Sequence, residues 1–223
     1  MRKAVPPPEL ADSPISPIAP AAPAPAPTAA GDLKAELRDL TPIKSKYGKS
    51  IRFVGELWNT GTADLGYPSA KVTFYDAQNT AIDSGICGSL VRVLPPNEKA
   101  PCMFAIFKGL DYATYKIEIT PFRSTFRGQI ADIDIVDKKF IEKRGYKPDT
   151  VEGKLTNKSA FKAKTVWAIV TLYDANKKIV GAENALVTGS DLDPGQSGLF
   201  SAKIYDVAGT PASYRVLAVG YGE

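Results

Sequence analysis

The sequence predicts an all-β protein: two tandem antiparallel β-sandwiches behind a disordered Pro/Ala-rich N-terminal tail. Three observations predict it. One stretch is written twice: Phe53-Val-Gly-Glu-Leu-Trp-Asn59 returns as Val151-Glu-Gly-Lys-Leu-Thr-Asn157, and Lys71-Val-Thr-Phe-Tyr-Asp76 returns within Trp167-Ala-Ile-Val-Thr-Leu-Tyr-Asp174, ungapped and 98 positions on. Self-similarity at a fixed spacing marks one structural unit used twice. The apolar runs are short, alternate with polar residues and are separated by turn-forming clusters, as half-buried strands require. Finally, nine of the 18 prolines fall within residues 4–30, where a core cannot form.

Residues 1–30 are the tail. Proline fixes φ and donates no backbone hydrogen bond, so Ala21-Ala-Pro-Ala-Pro-Ala-Pro27 predicts an extended, polyproline II-like linker. At about 3.1 Å per residue such a spacer reaches roughly 80 Å. The first domain, residues 31–121, has strand patterns at 33–37, 51–57, 71–75, 82–84, 88–94, 102–107 and 114–120. Val72 and Phe74 face one way, Thr73 and Tyr75 the other. Asn59-Thr-Gly61, Asp76-Ala-Gln-Asn79, Pro95-Pro-Asn97 and Lys108-Gly109 supply the turns. A connector, Pro121-Phe-Arg-Ser-Thr-Phe-Arg-Gly128, leads to the second domain, residues 128–223, with strands expected at 130–136, 150–155, 166–173, 179–180, 184–187, 199–204 and 213–219. So many short strands in so few residues predict paired antiparallel sheets. The connector is too short for free tumbling, which predicts a restricted angle between the domains.

Composition removes most catalytic chemistry. The chain has no histidine, which excludes Ser-His-Asp and Cys-His catalysis and histidine-ligated zinc. Its net charge of +4 is spread along the chain rather than gathered in one block, weak grounds for a nucleic-acid partner. Cys87 and Cys102 cannot make a structural zinc site alone. They admit two readings, a disulfide closing a loop or two unpaired thiols; an even pair at short separation favours the disulfide and an oxidising compartment. Met1-Arg-Lys3 begins like a secretory signal, but Pro6-Pro-Pro8 stands where its apolar run should be. No apolar stretch reaches the roughly 20 residues that span a bilayer. A cytoplasmic protein, or one whose targeting segment precedes Met1, fits these facts.

The order Gly-x-Leu-x-Asn, then an apolar strand ending in Tyr-Asp, then a Leu-x-Pro turn ahead of Phe104 or Phe200, resembles the FxLYD family of prokaryotic Ig-like sandwich domains. Asn59-Thr-Gly-Thr-Ala-Asp-Leu65 is similar to the Asn-x-Gly turn of CARDB-type adhesion-related domains. The name-giving motif is altered here to Val72-Thr-Phe-Tyr-Asp76 and Val170-Thr-Leu-Tyr-Asp174. The resemblance covers nearly all of the chain except the tail. It implies an Ig-like fold and a place outside the cytoplasmic membrane, periplasmic or extracellular, with no catalytic residues.

The repeated residues read as fold determinants. Gly55 and Gly153 suit a strand bend or close backbone approach. Leu57, Leu155, Val72 and Val170 suit inward positions. Asn59/Asn157 and Asp76/Asp174 suit side-chain-closed turns. Two sets of residues are candidates for contact instead. Lys44, Lys46 and Lys49 (with Arg52), and Lys138, Lys139, Lys143, Arg144 and Lys147, precede the second strand of each copy. On one side they would form a basic surface for an anionic glycan or other envelope polymer; as solvated loops they would do nothing specific. Trp58, Tyr67 and Trp167 could stack on sugars or anchor a partner, or pack between sheets. Asp132, Asp134 and Asp137, and Asp191-Leu-Asp193-Pro-Gly195, read as a solvated strand face and an ordinary turn rather than as calcium sites. The expectation is a non-catalytic envelope or extracellular protein without cofactor or metal, acting through protein–protein contact or assembly; an anionic polysaccharide or peptidoglycan-binding module is the alternative.

Overall fold

The structure, a computed structural model, describes residues 31–45, 48–142 and 145–222. These residues are all-β, with no helix and only antiparallel pairing. Strands β1 (Ala35–Lys44), β2 (Ile51–Asn59), β4 (Ser69–Tyr75), β5 (Ala81–Ser89), β7 (Lys99–Ile106) and β8 (Thr114–Glu118) form one six-stranded sheet in the order β1-β2-β7-β5-β4-β8. The short strands β3 (Leu65–Gly66) and β6 (Val93–Leu94) pair with each other. In the second copy, β10 (Ile133–Ile141), β11 (Asp149–Asn157) and β14 (Ser197–Ile204) make a three-stranded sheet. Strands β13 (Ile179–Leu186), β12 (Lys164–Tyr173), β15 (Ser213–Gly222) and β9 (Gln129–Ile130) make a four-stranded one.

The arrangement is sandwich-like because each strand has one apolar stripe that must be covered. In the first copy the sheet folds over until Phe53 of β2 meets Phe74 of β4, ring centroids 4.8 Å apart, while Phe104 of β7 stacks on Phe53 at 5.0 Å. Around them lie Leu57, Val72, Cys87, Cys102 and Ile106. In the second copy the three-stranded sheet brings Val151, Leu155, Phe200 and Ala202 onto Ala168, Val170 and Leu172 of the four-stranded one.

The two copies agree in detail. Leu37 pairs with Leu57 as Ile135 pairs with Leu155, and both first hairpins shift register at a bulge, between Arg38 and Thr41 or Val136 and Lys139. Left-handed backbone recurs at matching places: Asp39 and Asp137, Tyr67 and Thr165, Asn79 and Lys177, Asn97 and Gly195. At the bulge the neighbouring strand comes close to a glycine in both copies. A Cβ on Gly55 would lie 2.8 Å from Leu37 Cδ1, and one on Gly153 would lie 3.2 Å from the Lys138 Cα.

Three strand expectations need correction. Residues 82–84 and 88–94 are not two strands: β5 runs unbroken from Ala81 to Ser89 before the bend into β6. Gly85 is no turn; it leaves room for the Phe104 ring, which a Cβ there would meet at 2.2 Å. Residues 179–180 and 184–187 likewise are not two strands: β13 runs unbroken from Ile179 to Leu186, since no turn-forming pair interrupts it. The 130–136 stretch is split, because residue 130 pairs with Tyr221 in one sheet while β10 starts at Ile133 in the other.

The copies are packed on each other. Strand β12 is buried almost throughout, because both of its faces are covered. Ala168, Val170 and Leu172 face their own core, whereas Ile169 joins Leu65, Leu94, Ala100 and Val219, and Tyr173 joins Ile43, Val54, Met103 and Ile179. A polar set crosses this seam. The Tyr173 hydroxyl donates to Glu56, whose other carboxylate oxygen takes the Lys99 ammonium at 2.8 Å. Arg215 donates to the Lys99 carbonyl at 3.0 Å and to Glu98 at 3.2 Å, and Arg52 faces Glu183 at 3.6 Å. The restricted junction expected from the short connector is therefore a seam with its own apolar and hydrogen-bonded content.

Candidate functional site

At one end of the seam the copies diverge and leave a cleft of about 1110 Å³. Its first wall is the turn at Gly66 and Tyr67 with Leu90 and Arg92. Its floor is the connector from Phe122 to Gly128. Its second wall is Lys164, Thr165 and Trp167 from the start of β12, with Val219 and Tyr221 from the end of β15. The connector is held in place: Gly66 N–H donates to the Phe122 carbonyl at 2.9 Å, Ser124 N–H donates to the Asp64 carbonyl at 2.9 Å, and Arg123 reaches the Gly31 carbonyl at 2.7 Å.

Tyr221 ties the walls together. Its hydroxyl accepts from the Arg92 backbone N–H at 2.8 Å, the Arg92 guanidinium lies 5.3 Å from its ring centroid, and Phe126 meets it edge-on at 5.2 Å. Burial pushes the Tyr221 phenol above its ordinary pKa. Tyr67 and Thr165 line the cleft from matching positions of the two copies, both in left-handed backbone with φ of 42° and 50°. For a β-branched residue such as Thr165 this is a strained conformation. Among the described residues the lining contains Arg92, Arg123, Arg127 and Lys164 and no carboxylate.

The residues singled out in the sequence are distributed otherwise. Lys44 and Lys49 are exposed in the β1–β2 hairpin, and Lys138, Lys139 and Lys147 are exposed in the β10–β11 hairpin; Lys46, Lys143 and Arg144 lie outside the described residues. Only Lys49 and Lys147 among the described five hold matching positions. Lys138 and Lys139 sit half a strand earlier, where the first copy has Leu40 and Thr41, because the bulge rather than the loop occupies that place. Lys139 is engaged with Glu152 at 3.3 Å. None of the described five lines the cleft.

Cys87 of β5 and Cys102 of β7 are joined by a disulfide, Cα atoms 5.1 Å apart. Trp58 is half-buried between the Arg38 guanidinium, 4.4 Å from the ring centroid, and the Lys99 ammonium at 4.8 Å, beside the seam. Trp167 packs at the seam and lines the cleft, and Tyr67 is 62% exposed at its rim. Asp134 and Asp137 face Lys158 and Lys154 at 4.0 and 3.6 Å on the open face of β10. Asp193 closes a turn, its carbonyl accepting from Gln196 N–H at 2.9 Å.

Sequence reasoning passes over Arg92, Arg123, Arg127, Phe122, Phe126 and Tyr221 as contact residues, since they come from three distant stretches. One signal was available. The connector carries Phe-Arg twice, Phe122-Arg123 and Phe126-Arg127, a composition that a solvated linker has no use for. The chain matches no protein-family model, and no curated protein matches its sequence.

Proposed function

We propose that this chain is a non-catalytic interaction protein of a prokaryotic cell envelope, built of two FxLYD-type Ig-like domains, 31–121 and 128–223, and acting through protein–protein contact in a periplasmic or extracellular assembly. The observation that carries the reading is the cleft at the seam. It is a concave, cationic and aromatic surface whose two walls belong to different copies and are fixed relative to each other, which is what a preformed binding surface needs. The Cys87–Cys102 disulfide supports an oxidising compartment. The matching bulges, turns and left-handed residues support one duplicated Ig-like blueprint. In this reading the Pro/Ala-rich residues 1–30 are the spacer that holds the pair away from its anchor.

The alternative, a module for anionic polysaccharide or peptidoglycan, is favoured by one feature, the absence of any carboxylate among the described residues of the cleft. Affinity capture from envelope fractions with the full chain, beside capture without residues 1–30, separates the two. Retained proteins support the interaction reading, retained purified glycan supports the module, and retention of neither overturns both.

A further inference from the structure

We infer that the cleft is the docking site for an extended, acidic segment of a partner protein, one that seats an aromatic side chain beside Trp167 and Tyr221 and sets its carboxylates on Arg92, Arg123 and Arg127. This rests on the interaction reading above and narrows it to one surface and one ligand chemistry.

The kind of cation present argues for a protein partner. The chain has 8 arginines and 20 lysines, yet three arginines and a single lysine line the cleft. Arginine with tyrosine, tryptophan and phenylalanine, and with lysine and the acids depleted, is the composition of protein-binding centres. Guanidinium groups hold a carboxylate through two parallel hydrogen bonds, which a lysine cannot do. Among the described residues, Arg92, Arg123 and Arg127 meet no carboxylate of this chain. Their charge is thus uncompensated among the described residues of the cleft. A neutral sugar fits less well: among the described residues no Asn, Gln, Asp or Glu lines this surface, which leaves the sugar hydroxyls few side-chain acceptors.

The apolar part points the same way. Tyr67 at the rim and Phe122 at the start of the floor are 62% and 52% exposed, while Trp167 and Tyr221 are packed into the seam and cannot swing away. An incoming aromatic ring gains contact area there without ordering the wall, so binding loses little to immobilisation. The carboxylates then add orientation and speed of encounter.

The test selects random-sequence displayed peptides on the immobilised full chain. Recovered peptides should be enriched in Asp or Glu next to Phe, Tyr or Trp. They should bind the Arg92→Ala/Arg127→Ala double variant at least tenfold more weakly, and lose affinity as salt rises. Should the double variant melt early, Arg127→Glu, a change at an exposed residue, reads the same interaction. Peptides without acidic enrichment, or equal binding to the arginine variants, would overturn the inference, as would cleft-dependent binding of alginate in place of peptide. Envelope proteins retained equally by wild type and arginine variants would sink the cleft while leaving the interaction reading intact; no retained protein at all would sink that reading as well.

Discussion

At Asn59 a single carboxamide closes a turn. Its Nδ2 donates to the carbonyls of Ala63 and Leu94, both at 2.8 Å, and its Oδ1 accepts from Gly61 N–H at 3.0 Å. Asn157 repeats the arrangement with Phe161, Leu192 and Ser159. Both side chains are fully buried, so bulk water does not reach the groups they bond. Asn59→Ala strands three backbone groups and should cost on the order of 3 kcal/mol; at about 2–4 °C per kcal/mol for a chain of this size, a thermal melt followed by circular dichroism should show a clear drop. An unchanged melt would mean that water fills the site. Asp76 and Asp174 are the surface counterpart, each accepting from two N–H groups of the following turn.

Tyr173 yields a prediction with a sign. Burial first, and its hydrogen bond to Glu56 second, push its phenol well above the ordinary value. The folded protein therefore holds the proton more tightly than the unfolded chain, whose tyrosines ionise near 10. The resulting stability is complete below about pH 10 and is lost as pH rises towards the folded value. Burial raises the Tyr112 and Tyr221 phenols too, adding the same sense. Chemical denaturation at pH 8 and pH 11 should show wild type losing more stability over that interval than Tyr173→Phe, whose slope should be shallower; identical slopes would contradict the assignment.

Among the elements, β5 separates the two copies. In the first, Gly88 and Ser89 pair with Met103 and Cys102, and the disulfide fixes that join, so six strands form one continuous sheet. In the second, the matching cysteine positions hold Ala185 and Phe200, β13 does not pair with β14, and the sheets stay separate. Reducing the Cys87–Cys102 bond should lower stability by about 3 kcal/mol, the chain-entropy value for a loop of roughly this length, as a shift in the denaturation midpoint with and without reductant. The sheets themselves were legible in advance because alternation such as that of Val72 and Phe74 against Thr73 and Tyr75 is a local signal. The unbroken run of β5 was not, because the need for Gly85 lies in Phe104, far along the chain.

At the scale of the molecule, the seam makes the copies one unit, and Ile169 tests it. Ile169 is 1% exposed against Leu65 and Ala100 of the other copy, and burial of such a side chain contributes roughly 1.5–3 kcal/mol. The first copy has Lys71 at the matching position, on an open face. Ile169→Lys should resolve one cooperative unfolding transition into two in calorimetry; a single transition at the wild-type temperature would mean the seam contributes little. The seam left one trace in the sequence: β12 reads as a continuous apolar run where β4 alternates, as expected of a strand covered on both faces. The cleft left less, because its charge and its rings come together only when both copies are folded and docked.

The same comparison limits how far the architecture can be extended. The docking face offered by the first copy includes Val54 and Met103; at those places the second copy has Glu152 and Ser201, and the first copy's own counterpart of Ile169 is Lys71. At these matching positions each outward face carries a polar residue where the joint has an apolar one. A second molecule stacked head to tail would therefore present Glu152, Ser201 and Lys71 in place of the apolar Val54, Met103 and Ile169, so the apolar packing of this joint is not repeated between identical molecules.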